Sequence, residues 1–85
     1  MLQRKVALLA KKLIVRGVTP IKIQGQTTLC DPAIWITESI YIQIGADYIV
    51  IFRDRPEGLV IYECDGNIDD IMKKLRLAID EGKPK

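Results

Sequence analysis

The stretch Ile40-Tyr41-Ile42-Gln43-Ile44-Gly45-Ala46-Asp47-Tyr48-Ile49-Val50-Ile51-Phe52-Arg53 decides the fold. Two runs of β-branched and aromatic residues flank a short turn signal, the pattern of a β-hairpin. If Ala46-Asp47 is a two-residue loop, Gly45 pairs with Tyr48. Side chains alternate along a strand. Ile40, Ile42 and Ile44 then share one face with Ile49, Ile51 and Arg53. The opposite face carries Tyr41, Gln43, Tyr48, Val50 and Phe52. Both faces are greasy, whereas an antiparallel sheet wetted on one side alternates apolar with polar more cleanly.

Working outward, Asp54 to Gly58 reads as a second turn and Leu59 to Cys64 as the next strand. Upstream, Ile34 to Ile44 reads as the longest strand candidate; Glu38 breaks its isoleucine row and marks a bulge, a loop or the true strand start, and Trp35 shares the face of Tyr41. Thr19 to Gln24 reads as a short strand, and Pro20 places it at an edge because proline donates no ladder hydrogen bond. Gly25 to Pro32 reads as a loop.

A helix stands at each end. Leu2, Val6, Leu9 and Leu13 recur at helical spacing, and Gly17 supplies a stop. Leu8 and Val15 fall off that stripe, among basic residues. At the other end, Asn67 is a cap with Asp70 as a capping-box-like partner. Ile68, Ile71, Met72, Leu75, Ala78 and Ile79 form the second stripe, Gly82 ends it, and Lys83-Pro84-Lys85 is a frayed tail. The expected fold is a single α+β domain over residues 1–85. It has an antiparallel sheet of about four strands in helix–strands–helix order, with both helices on one face.

The chain has 85 residues, 48% of them apolar, no histidine and two cysteines. A chain of this length buries only roughly 60–65% of its unfolded surface. Oligomerisation is a common way to supply more. No run approaches a membrane span or a secretory signal, so the expected location is the cytoplasm. Cys30 and Cys64 are then expected as reduced, buried thiols.

Charge is unevenly spread. Arg4, Lys5, Lys11, Lys12, Arg16 and Lys22 have no acid among the first thirty residues, whereas the rest of the chain carries a net −4. Arg4, Lys5, Lys11, Lys12 and Arg16 are therefore candidate contacts for nucleic acid or an acidic partner.

The usual catalytic patterns fail. Without histidine the commonest general base and metal ligand is missing. Asp65, Asn67 and Asp69 have the first spacings of a calcium loop, but Asp70 stands where glycine is needed and Arg76 where a bidentate glutamate is needed. A nuclease hairpin would need an acid and, two residues on, a lysine, but Glu63 is followed by Asp65. The carboxylate next to Cys64 raises a thiol pKa, the wrong direction for a nucleophile. RNA-stacking sheets interleave aromatics with basic residues, which the later strands lack. No cofactor and no metal are expected.

The expectation is a small non-catalytic protein-binding module: an adaptor, inhibitor or regulatory subunit. Its partner is itself, as a homodimer, or another protein. Tyr41, Tyr48, Val50 and Phe52 are the interface candidates. One alternative is that the loop from Gly25 to Ala33 roofs that face. Another is nucleic-acid binding through the basic first helix.

Overall fold

The computed structural model describes residues 2–82. Its elements are α1 (Leu2–Val15), β1 (Lys22–Gln24), β2 (Ala33–Trp35), β3 (Ile40–Ile44), β4 (Ile49–Arg55), β5 (Gly58–Cys64) and α2 (Ile68–Gly82). The strands form one antiparallel meander in the order β1-β2-β3-β4-β5. The Lys83-Pro84-Lys85 tail and the side chain of Leu2 lie outside the described residues.

The hairpin register is the expected one. Gly45 N–H donates to Tyr48 C=O at 2.9 Å, and Ile44, Ile42 and Ile40 stand opposite Ile49, Ile51 and Arg53. A Cβ at position 45 would overlap the Tyr48 ring, so only glycine lets that ring lie across the hairpin end.

The long strand expected over Ile34 to Ile44 is two strands, which makes five in all. Thr37 Oγ1 accepts from the amides of Ser39 and Ile40 at 3.2 and 3.1 Å, and Ile36 N–H donates to Ile40 C=O at 2.9 Å. This hydroxyl-anchored turn reverses the chain at the point where Glu38 breaks the isoleucine row. The β4–β5 turn is also tighter than expected. Arg55 stands opposite Gly58, leaving Pro56 and Glu57 at its tip, and Gly58 takes the φ of +141°.

Both helices cover the isoleucine face. Leu13, Ile34, Ile42, Ile44 and Ile51 are fully buried, with Ile71 and Leu75 of α2 completing the centre. Gly17, at φ +87°, ends α1 in a Schellman motif. Val18 N–H donates to Leu13 C=O, Gly17 N–H donates to Ile14 C=O, and Val18 packs on the core. Asn67 caps α2, its Oδ1 accepting from Asp69 N–H at 2.8 Å. Asp70 reaches back past the cap to accept from Asp65 N–H. The calcium-like spacing is therefore spent on capping. No helix among the described residues is long and apolar enough to cross a membrane.

Candidate functional site: the helix-free sheet face

The ladder registers align side chains in rows across the strands. On the face without helices, one row runs Lys22, Trp35, Tyr41, Phe52, Ile61. The next runs Gln24, Ala33, Gln43, Val50, Glu63. Cross-strand neighbours on one face lie ~5 Å apart, so three aromatic rings from three strands meet. Trp35 and Tyr41 have ring centroids 4.4 Å apart, and Tyr41 stacks on Phe52 at 5.1 Å. Trp35 Nε1 donates to Gln24 Oε1 at 3.3 Å, which fixes the indole at one end. The rings and Val50 are half-buried by one another, and Ile61 beyond them is 56% exposed.

The loop between β1 and β2 does not roof these rings with apolar side chains. Leu29, its largest, is 92% exposed. The loop touches the face at the hairpin end, where the Tyr48 hydroxyl donates to Asp31. That hydrogen bond, above all, raises the Tyr48 pKa. The structure thus brings Tyr41, Val50 and Phe52 together and sets Tyr48 at their margin. Trp35 and Ile61, absent from the interface residues expected from the sequence, belong to the same face. Trp35 joins because β2 pairs with β3 instead of continuing into it, and Ile61 joins because the tight β4–β5 turn fixes its register.

The basic candidates divide. Arg4, Lys11 and Lys12 are exposed on α1. Lys5 donates to Gly45 C=O at 3.0 Å, and Arg16 pairs with Asp69 at 2.7 Å. Leu8 and Val15 are exposed among them, Val15 at 86%. The fold adds two cations from the acidic half of the chain. Lys73 and Arg76 of α2 line a groove of about 610 Å³ with Arg16, floored by Met72. Asp69 and Asp80 line the same groove.

Two polar groups lie under the helices. Arg53 is buried, its Nη2 3.3 Å from Glu81 Oε2, and its Nε has no hydrogen-bond partner among the described residues. Tyr62 donates its hydroxyl to the same Glu81 oxygen at 2.7 Å. Burial, then this bond, raises the Tyr62 pKa. Cys64 is half-buried against the core, and burial, followed by Asp70, pushes its thiol up to about 11. Cys30, expected to be buried, is exposed on the β1–β2 loop, where the backbone has no layer above it. Both thiols are free. No group of three or more potential metal ligands occurs among the described residues.

No protein-family model, curated protein or solved structure matches the chain.

Proposed function

We propose that this chain is a small cytoplasmic protein-binding module, an adaptor, inhibitor or regulatory subunit rather than an enzyme. It associates with a second copy of itself through the helix-free face. One observation carries the reading: the Trp35–Tyr41–Phe52 stack, flanked by Val50, on a face that neither helix covers. Aromatic side chains bury ~150–250 Å² each when covered. Trp and Tyr are among the residues that dominate contact energies between proteins once a partner covers them. An isologous two-fold contact buries the patch on both subunits at once. Sedimentation of wild type and Phe52→Ala tests it. The expected result is concentration-dependent self-association of the wild type that is weakened in Phe52→Ala, with an unchanged circular dichroism spectrum. A wild type that remains monomeric at high concentration overturns it.

A second reading has its own observation. Lys11, Lys12 and Arg16 continue across the interhelical groove to Lys73 and Arg76, a surface on which nucleic-acid phosphates would find cations from both helices. Reversing Lys11, Lys12 and Arg76 should then abolish binding whose affinity falls steeply with salt. Absence of binding at low salt removes this reading.

A further inference from the structure

The two edges of the sheet are built differently. β1 is three residues long, carries Lys22 and follows Pro20, the usual devices that blunt an edge. β5 is seven residues, Gly58–Cys64, with no proline or lysine. Hydrogen-bonded pairs alternate along an antiparallel ladder. Gly45 N–H to Tyr48 C=O and Asp54 N–H to Ser39 C=O fix the phase: Tyr48, Val50, Phe52 and Asp54 turn their backbone groups toward β3. Ile49, Ile51, Arg53 and Arg55 therefore serve β5, pairing with Cys64, Tyr62, Val60 and Gly58. The backbone groups of Leu59, Ile61 and Glu63 point out of the sheet. Lys74 Nζ, which reaches Glu63 C=O at 3.1 Å, sits at this same edge.

We infer that β5 pairs antiparallel with β5 of a second copy about a two-fold axis through Ile61, joining two five-stranded meanders into one continuous sheet. The outward groups are symmetric about Ile61. Ile61 exchanges both its hydrogen bonds with its own copy, and Leu59 exchanges with Glu63. The Glu63 carbonyl has a second lone pair beside Lys74. The apolar row then runs unbroken from Phe52 through both copies of Ile61 to the second Phe52.

The helices fit the same axis. α2 packs over β4 and β5. With strands ~4.8 Å apart, the two α2 axes would lie about 10 Å apart, an ordinary helix-packing distance. The flank of α2 toward the β5 edge carries Lys74, Leu77 and Glu81, since Lys74 reaches Glu63 and Glu81 reaches Tyr62. Leu77, 43% exposed, sits between them. An antiparallel two-fold brings Leu77 against its copy, with Lys74, already paired with Asp70, and Glu81, already accepting from Arg53 and Tyr62, flanking that contact. The shape self-complementarity of this flank, an exposed Leu77 meeting itself on the axis that pairs the strands, favours a second copy over an unrelated extended segment. The contact is made by the β5 backbone edge and the α2 flank; it shares only Ile61 with the aromatic row of the helix-free face and does not require the Trp35–Tyr41–Phe52 rings to be covered.

Amide hydrogen exchange on the full chain tests the seam. Val60 and Tyr62 amides serve the internal ladder and should be protected at any concentration. Leu59, Ile61 and Glu63 amides should be protected at high concentration and lose protection on dilution. Phe52→Ala should leave that protection in place, whereas Ile61→Pro, which removes only an outward donor, should lower the sedimenting mass and expose Leu59 and Glu63. Ile61→Lys serves as the second edge variant should the proline disturb folding. The inference is overturned if the three outward amides exchange freely at every concentration. It is also overturned if Phe52→Ala alone releases them, or if they become protected only when an unrelated extended peptide is added.

Discussion

The two faces of this sheet are made of similarly apolar residues, yet they reach different ends. On one, Ile34, Ile42 and Ile51 lie side by side from three strands and are fully buried under the helices. On the other, Trp35, Tyr41 and Phe52 are aligned by the same register and remain half-wet. Hydrophobicity alone does not distinguish a core from a contact surface. What differs is the supply of covering elements: two amphipathic helices, both packed on one face, leaving its β1 margin at Ile23 exposed. The side-chain types differ accordingly. Branched aliphatics pack under the helices, whereas on the other face Tyr41 stacks on Phe52 and Trp35 tilts against Tyr41.

Adjacent residues test that contrast most strongly. Ile51→Ala on the covered face should cost about 3 kcal/mol in urea denaturation, because its site cannot collapse. Phe52→Ala on the open face should cost the monomer only about 1–2 kcal/mol, since half the ring is already in water. Equal losses in dilute protein would mean that the open face is packed within the monomer. Gly45→Ala should come next, at about 1 kcal/mol, as the new methyl turns the Tyr48 ring away from its preferred rotamer. An unchanged midpoint there would show that the ring does not lie across the hairpin end.

Acid should sharpen the picture at the α2 start. The Asp65 amide, then Lys74, holds the Asp70 carboxyl below its ordinary value. Its folded pKa is depressed, so its contribution is present above the ordinary carboxylate range and is lost as pH falls through the folded value. Asp70→Asn should therefore be less stable than wild type at pH 7, and the gap should narrow in urea melts as pH falls below the ordinary carboxylate range. The smallest effect concerns the thiols. Iodoacetamide at pH 8 should label exposed Cys30 first and Cys64 slowly, read by mass spectrometry, with the order reversed only if the β5–α2 corner opens.

Much of the fold is legible in the sequence. The 45–48 hairpin, its register and the two helix stripes follow from period-two and helical spacing. The break between β2 and β3 was less legible, since Ile36 keeps the row's parity while the Thr37 hydroxyl takes the turn's amides. For the candidate site, Tyr41, Val50 and Phe52 could be grouped from one hairpin. Trp35 and Ile61 could not, because each joins the row only through pairing with a neighbouring strand. Nor could the approach of Lys73 and Arg76 to Arg16, residues more than fifty positions apart in the chain.

The sequence by itself determined the local matters: where helices start and stop, which residues alternate, and that apolar side chains would occupy both sides of the hairpin. Those depend on backbone sterics and on spacing within a few residues. Only the tertiary structure decided which side the helices cover, which strand stands at the long edge and which backbone groups face outward there. Those follow from contacts between distant segments, whose pairing is set by burial across the whole molecule.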